Sequence, residues 1–437
     1  MKTKLILLLF VFAYLHVNAQ CTTNVVIPDA NFKTSLLNDH TIDTNSDGEI
    51  SCDEATAFTG DMNVSNKSIT DLTGIEAFTS LTKLTCFNNS IASLDISKNT
   101  ALAYLNCFNN SLTSLDVTQN TALTYLSFSN NSVTSIDVSQ NAVLETLSFS
   151  SNSITSIDVS NNPALESFTC HSNELTTIDV SNNPALNVLT AYNTGITSID
   201  VSNNPLLTKL DVDENGLTSL DVSNNPLLKY LYFEDNSITS IDVSNNPALY
   251  YLYCTNNQLT DLDVSQNIAL YSLKCGSNSL TSLDVSLNTE LGNLNCTSNS
   301  LTSLNIANGN NIELYLYATD NPDLACIQID EGHTYFGDWE KDETAEYSTV
   351  DCNTLSVVDE NFNNTIRVFP NPIINTLHIN LSTEQEFKKA QIFNMLGKEV
   401  LTTSATTIDM SSFSSGIYLL KIENTDNNVV LRKIIKE

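Results

Sequence analysis

The 437-residue chain carries 18 basic against 50 acidic residues, a net charge of −32. A body this acidic repels phosphate backbones and anionic headgroups, which argues against nucleic acid and anionic membrane and leaves divalent cations and basic surfaces as partners. The length exceeds one ordinary globular domain.

The chain opens with a signal-peptide pattern over residues 1–19. Lys2 and Lys4 precede the apolar run Leu5 to Ala13, and Val17-Asn18-Ala19 offers a cleavage site before Gln20. Cys21 leaves a lipoprotein anchor open, although Gln20 stands where such a motif needs a small residue. No later apolar run approaches the ~18 residues that span a bilayer, so no transmembrane segment is expected after cleavage.

Residues 20–61 read as an N-terminal cap. PDANFKTSLLNDH predicts a short helix with Phe32, Leu36 and Leu37 on related faces. DTNSDGEISCDE follows, at 43 to 54, and matches the EF-hand pattern D-x-[DN]-x-[DN]-G-x5-E. In that resemblance Asp43, Asn45 and Asp47 supply side-chain oxygens and Glu49 its carbonyl. Ser51 acts directly or through water, and Glu54 closes the site with both oxygens. Only one such loop is present, so a structural calcium ion is expected rather than a paired sensor.

From 62 to 330 the chain repeats. Leucines recur with one constant spacing at positions 81, 102, 123, 144, 165, 186, 207, 228, 249, 270 and 291. The copy LAYLNCFNNSLTSLDVTQNTA holds the pattern LxxLxxxxNxL twice. The set resembles the leucine-rich repeat family, in its bacterial form with nested 21-residue units. The fourth and sixth residues of LxxLxL alternate as in a strand and point inward, and each coil buries its apolar row only against its neighbours. Two asparagine columns, one through Asn110 and Asn131 and broken at Thr194, the other through Asn120 and Asn141, are expected to satisfy the backbone where each coil turns. Cys86, Cys107, Cys170, Cys254, Cys275 and Cys296 share one position with Phe128, Phe149, Ala191, Val212 and Phe233, which marks a buried apolar slot. Outside the repeats, Cys21 and Cys52 could bridge the N-terminal cap, and Cys326 and Cys352 a C-terminal one.

The copies also serve as their own alignment. The second pass of each coil is uniform and repeats an aspartate at 95, 116, 137, 158, 179, 200, 221, 242, 263 and 284. These carboxylates either accept local hydrogen bonds or form a rail for cations. The first pass varies on its outward positions. Phe87, Phe108, Tyr104 and Tyr125 come first, then His171 and Tyr192. Tyr230, Tyr232, Tyr251 and Tyr253 fall on two outward positions of two adjacent coils, rimmed by Asp211, Asp213, Glu214, Glu234 and Asp235. Grouped aromatics beside acids have the composition of a ligand-binding hot spot, for a protein or a glycan; cross-strand packing alone is the other reading.

Residues 331–360 are read as a C-terminal cap with Trp339 and a polar linker. From 361 to 437 the charge balance turns to 8 basic against 7 acidic residues, and both arginines of the chain, Arg367 and Arg432, lie here. Alternation in LHINL, a hairpin in AQIFNMLGKEV, and the runs SSGIYLLKI and VVLRKIIK give a small β-sandwich. Pro370-Asn371-Pro372, Gly397, Gly416-Ile417-Tyr418 and the terminal basic strand with Lys433 resemble the C-terminal sorting domain of type IX secretion substrates in Bacteroidota. That resemblance implies recognition by the type IX secretion machinery and a destination outside the cell or on its outer surface.

The fold expected is mainly β: a leucine-rich-repeat solenoid with a short helical N-terminal cap and a small C-terminal β-sandwich. His16, His40, His171, His333 and His378 are scattered, without metal or nucleophile spacing, so the expectation is a non-catalytic binding or adhesion protein. The alternative is a structural, calcium-dependent surface-layer or matrix protein.

Overall fold

Each copy of the repeat makes one coil, and its LxxLxL segment makes the same short strand every time. In Tyr104–Asn106 the central Leu105 points inward while Tyr104 and Asn106 are half-buried on the other side. A strand this short has no stability alone. It gains it from register: Tyr104 pairs with Tyr125 and Leu105 with Leu126, one repeat further along, in parallel. Repetition of this pairing builds a 14-stranded parallel sheet from Asp61–Asn63 to Trp339–Lys341. The computed structural model describes residues 23–333, 337, 339–352, 366–381, 387–394, 398–425 and 429–437. The expected signal peptide and Cys21, the linker at 354–364 and Gly397 lie outside the described residues.

The second pass behaves differently along the repeat. A second parallel sheet, of four strands, forms only from Ser282–Asp284 onward, ending at Glu346–Ser348. Both sheets therefore run past residue 330, and the segment at 339–348 closes the stack as a last coil. Leu294 pairs with Leu316, one position beyond the regular spacing, and the turn before Leu316 takes up the extra residue: Ile312, which the constant period would bury with Leu291, is 80% exposed, and Leu314 is buried instead.

The column positions explain themselves in the packing. Leu102, Leu105, Cys107, Leu112 and Val117 are fully buried in one coil, and equivalents repeat through the stack. The six repeat cysteines are buried free thiols, and burial pushes Cys107 and Cys296 up to about 12. Phe128 and Phe149 fill the same slot with rings stacked at 5.7 Å.

Asparagines bind coil to coil. Asn110 donates to the carbonyls of Cys86 and Cys107 and accepts from the Ile91 amide, so its whole amide is satisfied. In the fully buried column, Asn162 donates to the Val138 carbonyl at 3.0 Å and to the Asn141 carbonyl at 2.8 Å, but its Oδ1 has no partner. At the break, Asn215 Oδ1 accepts from the Thr194 amide, the Thr194 hydroxyl and the Gly195 amide. Gly195 has φ +94°, where a side chain would be strained.

The N-terminal cap is helical as read. Helix α1 spans Ala30–Leu37, with Phe32 and Leu36 buried, and helix α2 spans Cys52–Ala57. Asp29 caps α1 through Oδ1, while its Oδ2 accepts from the amide and hydroxyl of Thr70 and so ties the helix to the first coil. Cys52, Cys326 and Cys352 are disulfide-bonded.

The chain divides into two units, 1–349 and 350–437. The second holds a three-stranded and a four-stranded antiparallel sheet. Ile379 and Ile408 from the first and Ile392, Leu420 and Ile434 from the second share one core, which makes the unit a sandwich. Phe387–Asn394 and Glu399–Thr403 form the expected hairpin.

Candidate functional site

Parallel in-register pairing sets the tyrosines side by side. Tyr230 lies beside Tyr251 and Tyr232 beside Tyr253, with ring centroids 5.6 Å and 5.0 Å apart. Tyr251 and Tyr253 approach to 5.7 Å along the strand. All four are half-buried, more than their outward-pointing positions imply, because each ring covers its neighbours. Tyr250 and Tyr271 extend the group: Tyr250 stacks on Tyr271 at 5.2 Å and 11° and meets Tyr251 at 4.9 Å. These two rings are 37% and 42% exposed and form its open rim.

Charges flank the rings. Lys209 Nζ sits 5.5 Å above Tyr232, and Lys274 Nζ 4.1 Å above Tyr253. Lys209 also pairs with Asp211 at 3.2 Å. Asp211 is only 7% exposed, and its Oδ1 has no hydrogen-bond partner. Asp213 accepts from the Glu234 amide; burial, and then the neighbouring Asp211 carboxylate, push it up to about 7. Glu214 and Asp235 occupy a left-handed position, φ +51° and +53°, where most coils carry Asn or Ser. A Glu there is strained backbone, and strain of this kind collects at functional sites. In the two preceding coils, His171 stacks on Tyr192 at 4.0 Å. Burial lowers the His171 pKa.

Other outward positions form separate groups. Tyr104 and Tyr125 stack at 4.2 Å under Lys83, and Phe108 is exposed. The aspartate column is occupied locally. Asp116 Oδ1 accepts the Thr118 amide and hydroxyl, and Asp158 Oδ1 accepts the Ser160 amide. The Thr118 amide and hydroxyl, and the Ser160 hydroxyl and amide, hold the Asp116 and Asp158 carboxyls below the usual carboxylate range.

The EF-hand-like residues lie in one loop. Glu54 folds back over it: Oε1 accepts from the Thr44 amide and hydroxyl and the Asn45 amide, and Oε2 from the Ser51 amide and hydroxyl. The bonds led by the Ser51 amide lower its carboxyl to about 2. Asn45 and Asp47 bond each other, and Lys33 holds the Glu49 carboxylate at 2.7 Å. Among the described residues no three His, Cys, Asp or Glu side chains are arranged to hold a metal ion. Asp43, however, is buried at 5% exposure, and its Oδ1 lacks any partner. A buried carboxylate oxygen without a donor is costly unless a cation meets it, and the neighbouring donors are all hard oxygens. The residue set fits calcium.

In the second unit, Asn371 pins the terminal strand: its amide donates to the Lys433 carbonyl at 3.1 Å, and its Oδ1 accepts the Ile435 amide at 2.8 Å. Pro370 and Pro372 flank it with cis peptide bonds. Gly416 opens the Gly416–Asn424 strand, and the Tyr418 hydroxyl donates to the Ser414 carbonyl at 2.9 Å. Lys433 pairs with Leu419.

Residues 367–437 match the family described as the secretion system C-terminal sorting domain, and residues 226–267 match leucine-rich repeats in two copies. The chain is a bacterial leucine-rich-repeat protein with a type IX sorting domain. Among solved structures it is similar to the functional domain of InlJ from Listeria monocytogenes, which includes a cysteine ladder. Identity is 29%, over 94% of this chain and 97% of that one, with a TM-score of 0.61. It shares a fold with the internalin InlF of the same organism at 19% identity, over 75% and 98% of the two chains, with a TM-score of 0.59. A search of curated proteins returns no match. The sorting domain directs this leucine-rich-repeat protein to secretion or the outer surface.

Tyr250 and Tyr271 of this leucine-rich-repeat protein join the site without having been singled out by the sequence. They stand one residue before the strand, in a column that otherwise holds Thr, Ala, Glu, Asn, Lys and Gly, and that contrast was visible in the repeats. The burial of Asp211 is different, because no spacing reveals it.

Proposed function

We propose that this secreted leucine-rich-repeat protein is a non-catalytic binding or adhesion protein whose partner protein seats on the tyrosine and acid face. One observation carries the reading: six tyrosines of three adjacent coils form a continuous aromatic surface beside a buried carboxylate and acids on strained backbone. Tyrosine supplies contact area at low entropic cost, and acids at the rim select charge. The test is binding of the full chain to immobilised extracellular proteins, with glycans in parallel. A variant carrying Tyr230, Tyr232, Tyr251 and Tyr253 all changed to Ala accompanies it. A protein hit lost in the folded variant supports the face. Hits indifferent to the change, or glycan hits alone, count against it.

A second reading, a calcium-dependent structural role in a surface layer or matrix, is favoured by the orphan Asp43 oxygen. In it Asp43, Asn45, Asp47, Ser51 and Glu54 would hold calcium with the Glu49 carbonyl and brace the N-terminal cap. Both roles can coexist on one chain.

A further inference from the structure

The chain has two arginines, Arg367 and Arg432, and both line one cleft of about 650 Å³ in the sorting domain. Arg367 stands on Ile366–Phe369, the edge strand of the three-stranded sheet; Arg432 and Lys433 stand on Val429–Lys436, the edge strand of the four-stranded sheet. Closure of the sandwich brings these edges together, although they come from opposite ends of the domain's sequence. Phe369, Asn371 and Asn380 also line it, and among the described residues none of the lining is acidic. That is a marked local reversal in a chain of net charge −32. Elsewhere in the domain, Lys388 and Lys389 share the Glu423 carboxylate at 2.6 Å and 3.1 Å. Arg432 Nη1 donates to the Leu431 carbonyl at 3.2 Å, which steadies its guanidinium. Asn371 fixes the Lys433 and Ile435 backbone, so the motif Pro370-Asn371-Pro372 shapes one end of the cleft.

We propose that this arginine cleft binds an acidic segment of a partner protein, with its Asp or Glu carboxylates held by Arg367 and Arg432. Guanidinium forks match carboxylates two bonds at a time, which lysine cannot do. The lining runs along two strands, 366–369 and 432–434, which suits an extended peptide better than a compact headgroup. The inference rests on the sorting-domain assignment only for the partner's location.

The test is fluorescence anisotropy of a labelled deca-glutamate peptide with the full-length protein at physiological salt. There the Debye length is about 8 Å, and the field of the acidic repeats is screened. The expected result is saturable binding, weakened at least tenfold in R367Q/R432Q and changed less than twofold in K388Q/K389Q, which removes the same charge elsewhere. Matching melting temperatures confirm that the variants fold. R367K/R432K, which keeps the charge, should recover only part of the affinity. No binding by the wild type, or equal loss in both Gln variants, overturns the proposal. So does binding to anionic phospholipid vesicles or inorganic phosphate without binding to the peptide. Because the readout is binding and not export, failure here would leave the sorting assignment standing.

Discussion

Tyr232 and Tyr253 occupy the same register position on adjacent parallel strands, their ring centroids 5.0 Å apart, each with a lysine ammonium above its face. Lys209 and Lys274 thus show what chemistry those ring faces accept: a cation, with the Asp211 carboxylate close by. A basic side chain of a partner would meet the same surroundings.

Changing Tyr232 and Tyr253 to Phe should keep the rings and the cation contacts. Partner affinity should fall less than threefold, whereas both to Ala should abolish most of it. Aromatic pairs contribute roughly 0.5 to 1.5 kcal/mol beyond their burial, so the double Ala variant should also melt a few degrees lower. Surface plasmon resonance beside calorimetry separates the two effects.

Asp213 sets a pH dependence opposite to that of most carboxylates. Its folded pKa is raised to about 7. Between about pH 4 and that value the folded state binds more protons than the unfolded chain, so the stability present at lower pH is lost as pH rises through the folded pKa. Asp213→Asn should melt higher than wild type at pH 8 and match it near pH 4. A wild-type melting temperature that does not respond differently from the variant across this window would refute the assignment. The Asp116 and Glu54 carboxyls, held low by hydrogen bonds, contribute in the opposite sense, present near neutrality and lost as pH falls through their folded values.

Calcium should raise the melting temperature of the full chain, and chelator should lower it again. At calcium tenfold above Kd the expected gain is about 1.4 kcal/mol. Asp43→Asn and Glu54→Gln should each remove most of the response. An unchanged melting curve with millimolar calcium would end the structural-calcium reading.

Asn162→Ala removes two donors from fully buried carbonyls of the preceding coil. Leaving those groups unpaired should cost about 2 to 3 kcal/mol, read by urea denaturation. Asp158→Asn on the exposed column should shift the midpoint far less.

The six buried repeat thiols should resist iodoacetamide in the native protein and all react after unfolding, since burial raises their pKa and blocks access. Mass spectrometry counts the adducts. Labelling of Cys254 or Cys275 under native conditions would mean that the coils open locally.

The constant repeat period determined by itself the parallel coils, the buried column of Cys and Phe and the asparagine columns. Each follows from equal spacing, because an in-register parallel sheet turns sequence position into position in space. The same logic placed Tyr230 beside Tyr251. Tertiary structure alone decided how deeply Asp211 and Asp43 are buried, since burial depends on which neighbours close over a carboxylate and not on its place in a motif. It alone decided that the fully buried asparagines leave an oxygen without a donor. It alone brought Arg367 to Arg432, because the sandwich has no repeat to link distant strands. Their edges meet only when the two apolar faces close on one core.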